Sequence, residues 1–276
     1  VAKNAEYCPH KRYAMTYRWI FGAGCLLALA ACQGGQQASE AAKAAPDAQQ
    51  IVDAAIARHG GERYADSQVE FRFRERDYLA WRQGWRWRYT RTYTDTAGHH
   101  IRDVLSDAGL AREIDGQPVS LSAKDSSAYA NSVNSVLYFA LLPYFLNDQA
   151  VIKQYDRAVE IKGQPYHRLR VRFREEGGGK DHDDEYLYWF HRDSLTLDYL
   201  AYSYHTDGGG MRFREAFNPR MASGIRFADY RNYKPKAEGA RIEQLDSLFQ
   251  RGELEQLSLI EKENIRVLHP APPAAD

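Results

Sequence analysis

Short runs in which apolar and charged residues alternate recur along most of this chain. That period of two constrains its fold more than any other feature. Val69–Arg76, Trp85–Thr94 and Tyr166–Arg174 each place their apolar side chains on one face of an extended segment and their arginines on the other. Tyr186–Phe190, Leu197–Tyr204, Met211–Ala216 and Ile225–Tyr230 read as further strands. Turn formers separate the runs at hairpin intervals: Asp95–Gly98, Asp115-Gly116, Gly177–Gly179 and Asp207–Gly210. Strands do not alternate with helices, which excludes a doubly wound parallel sheet. The pattern predicts one long, curved antiparallel sheet in a single domain over 47–268.

Two segments change period. Asp47 caps a predicted helix over 47–58, with Ile51, Val52, Ala55 and Ile56 on one face; Gly60-Gly61 stops it after His59. Ser127–Pro143 carries helical spacing at Val133, Val136, Leu137 and Ala140 and ends at the proline. Asp148–Tyr155 reads as a further turn of helix, and the chain after Pro235 as helix or edge strand. Helices laid on the concave face of the sheet would make an α+β layer.

The chain has 276 residues, with 37 basic and 37 acidic side chains, a balance that argues against nucleic-acid binding. Its 3 cysteines exclude a disulfide-stapled scaffold. Met15–Cys32 has the order of a secretory signal: Arg18 as the positive flank, a short apolar stretch over Trp19–Ala28, and Leu29-Ala30-Ala31-Cys32 at the end. That ending resembles the bacterial lipobox. The resemblance implies cleavage before Cys32, lipidation of its thiol, and translation starting at Met15 with residues 1–14 upstream of it. Gln33 in place of Asp after the cysteine resembles an outer-membrane address. Residues 32–46 would then be a flexible tether, and 269–276 a disordered tail.

A lipobox, a tether, a first helix ending in His-Gly-Gly and a helix-interrupted antiparallel meander together resemble the LolA/LolB-like superfamily. Tyr129–Tyr144 and Tyr202–Glu215 resemble more closely an uncharacterised family of bacterial LolA-like lipoproteins. The resemblance covers about residues 50–235. It implies a half-barrel plugged by helices, a concavity that holds acyl chains, and a periplasmic setting. LolB adds a protruding apolar loop, for which Leu141–Leu146 is the best candidate.

The chemistry-bearing clusters are few. His205, Asp207, Arg212, Arg214 and Glu215 surround a glycine turn; they read either as a solvated hairpin or as a grip for a carboxylate or phosphate. Asp181, His182, Asp183, Asp184 and Glu185 lack the ligand spacing of a calcium loop and read as a solvated acidic turn. His99 and His100 read as surface. No sequence fingerprint of a hydrolase, zinc protease, P-loop or dinucleotide site occurs, and no cofactor or metal is expected. Nineteen tyrosines exceed what a simple core requires. A subset of aromatics including Tyr138, Trp189 and Tyr204 is expected to line a partly wet cavity. The reading is a lipid-anchored outer-membrane protein facing the periplasm that binds or carries a hydrophobic or lipid-like ligand. A hydrolase or metal enzyme built on His205 and Asp207, or a non-catalytic adaptor with an envelope protein partner, are the alternatives.

Overall fold

The structure, a computed structural model, describes residues 45–176, 184–205 and 208–269. In chain order the described elements are α1 (Ala48–His59), β1 (Asp66–Phe73), β2 (Arg76–Gln83), β3 (Arg86–Thr94), β4 (His100–Ser106), β5 (Gly109–Ile114), β6 (Gln117–Val119), α2 (Ala123–Ala140), β7 (Val151–Ile161), β8 (Gln164–Phe173), β9 (Glu185–His191), β10 (Leu197–Tyr204), β11 (Gly210–Ala222), β12 (Ile225–Pro235), α3 (Leu245–Gln250), β13 (Leu254–Ile260) and β14 (Glu263–Leu268). Among these residues no helix is long and apolar enough to cross a membrane.

The strands form two seven-stranded antiparallel sheets. The first runs in the order β14-β1-β2-β3-β4-β5-β6 and the second β13-β12-β11-β10-β9-β8-β7; neither curls into a half-barrel. This corrects the expectation of one curved sheet. Two features of the chain divide it. The segment carrying α2 separates β6 from β7, which head different sheets. At the other end, β13 pairs with β12 and β14 with β1, so the chain changes sheet across Glu261 and Lys262.

Tight hairpins set the register. Lys162-Gly163 joins β7 to β8 and Asp115-Gly116 joins β5 to β6, each pair at positive φ as a two-residue turn requires. Arg74 and Glu75 turn β1 into β2 with φ of 49° and 58°, without a glycine. The predicted strand through Arg76 is therefore a strand, a turn and the start of the next strand. Asp148–Tyr155 is not helical: a short 3₁₀ turn occupies Tyr144–Asn147, and β7 begins at Val151. The Leu141–Leu146 loop does not protrude, since Leu141, Leu142, Phe145 and Leu146 are all buried. Trp85, at the β2–β3 turn, points outward instead, 79% exposed.

Three apolar clusters hold the domain. On one face of the second sheet, Leu169, Val171, Tyr188, Phe190 and Leu200 pack against Ile51, Val52 and Ala55 of α1. The first sheet packs Val69, Phe71, Tyr78 and Tyr89 against Val133 and Leu137 of α2. The far face of the second sheet is also covered: Leu187, Trp189, Ala201 and Phe213 meet Ile242, Leu245 and Phe249, from α3 and the turn before it. Burial on both faces explains why β9 reads as an unbroken Tyr-Leu-Tyr-Trp-Phe run instead of alternating.

The starts of α1 and α2 are capped. Asp47 Oδ1 accepts from the Gln49 amide, and Ser122 Oγ from that of Asp125, so α2 starts about a turn earlier than its apolar spacing implies. α2 is pinned by charge as well as by packing. Arg91 donates to Asp103 Oδ2 at 2.9 and 2.6 Å and to Ser132 of α2 at 2.7 Å, while Arg112 donates to Asp103 at 2.7 and 3.0 Å and stacks on Tyr129. At the end of α1, His59 is 2% exposed, and its Nδ1 lies 2.8 Å from the Ala55 carbonyl. That contact puts the ring proton on Nδ1 and leaves Nε2 to accept from the Leu197 amide at 3.4 Å. Burial pushes the imidazole down to about 4, partly opposed by its bond to Ala55 and reinforced by Arg226 and Arg58.

Candidate ligand-binding site

The period-two alternation of the second sheet decides which side chains can share a site. Tyr186, Tyr202 and Arg212 occupy one cross-strand row, since Tyr202 pairs with Tyr186 on one side and Arg212 on the other. Tyr188, Leu200, Arg214 and Asn232 form the next row. The same face continues through Tyr230 and Ile260, and α2 lies over it with Val136, Tyr138 and Phe139. Between them is a cavity of about 400 Å³, closed further by Phe71 and Phe73 of β1 and Phe173 of β8. This volume falls within the range of small-molecule sites.

The walls are mostly aromatic. Phe139 lies 5.3 Å from the Tyr202 ring, Tyr138 stacks on Phe145 at 5.4 Å, and Phe173 meets Tyr186 edge-on at 5.4 Å. The hydroxyls of Tyr138 and Tyr188 are buried and make no hydrogen bond of good geometry; burial raises both phenol pKa values. Burial likewise pushes Tyr230 up to about 12, so its phenol stays neutral at physiological pH.

Cations punctuate this surface. The Arg214 guanidinium lies 4.2 Å from the Phe139 centroid and donates to Tyr202 Oη at 2.9 Å. Its Nε is buried without a partner. Arg212 stands over the Tyr204 ring at 5.1 Å and donates to its neighbour's carbonyl, Met211 O, at 2.9 Å. Lys262, from the crossing between the sheets, also lines the cavity and is 6% exposed. Its Nζ is 3.8 Å from Asp229 Oδ1. Burial pushes its pKa down to about 8 despite Asp229, with Arg220 and Arg214 adding repulsion.

The structure divides the residues singled out from sequence. Tyr138, Tyr204, Arg212 and Arg214 meet at the cavity. Glu215 does not: as Arg214's neighbour on β11 it faces the other side, where it accepts from Lys162 at 2.6 Å and Tyr233 at 3.3 Å. Trp189 also belongs to the far face, fully buried, with Nε1 donating to Asp246 at 3.3 Å. His205 follows β10 with its side chain 75% exposed, its Nδ1 3.7 Å from Asp184 Oδ1. Asp207 and Cys32 lie outside the described residues, as do residues 177–183 of the acidic run. Among the described residues no three His, Cys, Asp or Glu side chains gather as metal ligands would. His99 is on the surface, 2.7 Å from Asp115.

Residues 56–262 match the model of a family of unknown function. The chain belongs to that family, DUF6503. No curated protein matches this DUF6503 chain by sequence. Among solved structures it is similar to a LolA superfamily protein from Nitrosomonas europaea, with 12% identity and a TM-score of 0.48, covering 83% of this chain and 96% of that one. It is also similar to a DUF1329 family protein from Desulfovibrio piger, with 10% identity and a TM-score of 0.39, covering 79% and 92%.

Proposed function

We propose that this DUF6503 protein is a lipid-anchored envelope protein that holds one apolar chain of an amphiphile in the cavity between α2 and the second sheet. The observation that carries the reading is the cavity itself: about 400 Å³ of space, partly open to solvent, with Phe71, Phe73, Phe139 and Phe173 among its walls. Burying an acyl chain there gains about 25 cal/mol per Å² of apolar surface removed from water. The lipobox ending at Cys32 supports the anchor and the periplasmic side of the outer membrane as its address.

The direct test is saturable binding of a fluorescent fatty acid to delipidated protein, together with native mass spectrometry of freshly purified protein for co-purified lipid. Ala140→Phe, at the end of α2, puts a ring into the cavity from its own wall. It is expected to weaken binding by about ten-fold or more, about 1.4 kcal/mol, with an unchanged circular dichroism spectrum. Absence of saturable binding in the unmodified protein would refute the reading.

A further inference from the structure

We propose that the cavity selects amphiphiles with a compact anionic head, a carboxylate or a phosphate monoester, seated between Arg214 and Lys262 with Arg212 nearby. The inference rests on the reading that the cavity holds an apolar chain, and adds to it the chemistry of the ligand's other end.

Among the described residues the lining carries three cations and one carboxylate. Arg212, Arg214 and Lys262 all face this space; among the described residues the carboxylate on the lining is Asp184, which lies 3.7 Å from His205. Neither Arg212 nor Arg214 has a carboxylate within ion-pair distance among the described residues. Arg214 spends one bond on the neutral hydroxyl of Tyr202 and leaves its Nε buried and unbonded. Lys262 has Asp229 at 3.8 Å, but that carboxylate is already saturated. It accepts from Arg220 at 2.9 and 3.0 Å, from Asn218 at 2.8 Å and from the Lys262 backbone amide at 2.9 Å. Asp229 is therefore shared: Arg220 holds it at hydrogen-bond distance, while the lysine's ammonium meets it only at 3.8 Å.

Holding like charges out of water is unfavourable unless an anion joins them. Lys262 feels that repulsion, since Arg214 is among the groups that lower its affinity for a proton. An anionic head would supply a further counter-charge and accept from the Arg214 guanidinium and from Lys262 through charge-assisted bonds. The tail would then run along Phe139, Phe173 and Phe73, which carry no charge. A neutral head leaves the cations unmatched, and a cationic head adds to the repulsion.

The test is a head-group series on the full, delipidated chain: dodecanoate, dodecyl phosphate, dodecanol and dodecyltrimethylammonium, each displacing a fluorescent fatty acid. Dodecanoate and dodecyl phosphate are expected to bind about ten-fold or more tighter than dodecanol, and the trimethylammonium compound not to compete. The order of the two anions distinguishes a carboxylate source from a phosphate source. Arg214→Gln and Lys262→Met are expected to weaken both anions by about ten-fold and dodecanol by a clearly smaller factor. The series on the unmodified protein decides the question even if a variant does not fold. Equal binding of dodecanol and dodecanoate would overturn the anionic head while leaving the apolar cavity standing. Binding by none of the four would overturn both.

Discussion

His59 makes the stability of this fold depend on pH between about 4 and 6.5. The imidazole is buried with its proton committed to the Ala55 carbonyl and its lone pair to the Leu197 amide. A second proton would have to enter a site that burial and Arg226 make hostile, which pushes the folded value from 6.5 to about 4. The unfolded chain takes that proton below about pH 6.5 and the folded chain only near pH 4. The contribution is thus fully present above 6.5 and lost progressively as pH falls toward 4. At ~1.4 kcal/mol for each tenfold difference in proton affinity, the whole displacement amounts to about 3 kcal/mol. By about pH 5 roughly 2 kcal/mol of it is gone. Carboxylates held down by ion pairs, such as Asp156 and Asp229, lose their contribution at lower pH and barely enter this window. His99, held up by Asp115, acts in the opposite sense at the surface, and its effect cancels when variant and parent are compared. Urea unfolding of the parent and of His59→Gln, each near pH 7.5 and pH 5, measures the difference. The variant is expected to be about 1–3 kcal/mol less stable near pH 7.5, where its amide imitates the two hydrogen bonds imperfectly. It should then lose about 2 kcal/mol less than the parent on acidification. Equal losses in the two proteins would refute the buried, neutral imidazole.

Three further outcomes follow from the same structure. Asp103→Asn leaves Arg91 and Arg112 buried around a neutral amide and should cost about 3–5 kcal/mol in urea unfolding; a loss under about 1 kcal/mol would mean the arginines find other partners. Trp189→Phe removes the bond to Asp246 and part of the far-face core, so stability should fall by about 1–3 kcal/mol while fatty-acid affinity stays within about two-fold; a large loss of affinity would return Trp189 to the site. Cys32→Ser, expressed in a bacterium that matures lipoproteins, should move the protein from the membrane to the soluble fraction and abolish the acyl mass on the N-terminal peptide; an unmodified Cys32 in the parent would refute the anchor.

Alternation revealed most of the strands it touched, because a period of two survives wherever one face is solvated. It failed where the physics differs. Val69–Arg74 alternates and only Glu75 falls out of phase, yet the chain reverses at Arg74-Glu75, and no glycine or asparagine marks the positive φ. The partner strand β2 was hidden by the same missing signal. β7 has only its two ends, Val151 and Ile161, fully buried and so shows little alternation to read. The division into two sheets was not legible either, since it depends on β13 and β14 choosing different partners across two residues, a long-range decision that local pattern does not encode.

The candidate site shows the same division between local and long-range information. Once Met211–Ala216 is read as a strand, Arg212 and Arg214 must share a face and Glu215 must take the other, so grouping all three in one cluster ignored a constraint already present in the alternation. Trp189 followed the same rule, lying between Tyr188 and Phe190 and therefore opposite to them. Lys262 was invisible for a different reason. It sits in Glu261-Lys262-Glu263, a run that reads as a solvated charge cluster, and it is buried only because the chain crosses there from one sheet to the other. A lysine forced inward at a crossing has no local signature, yet it is the cation that shares its carboxylate, Asp229, with Arg220. The feature that most sharply shapes the proposed ligand thus arises from topology, and of the aromatics singled out from sequence Tyr138 and Tyr204 line the cavity while Trp189 does not.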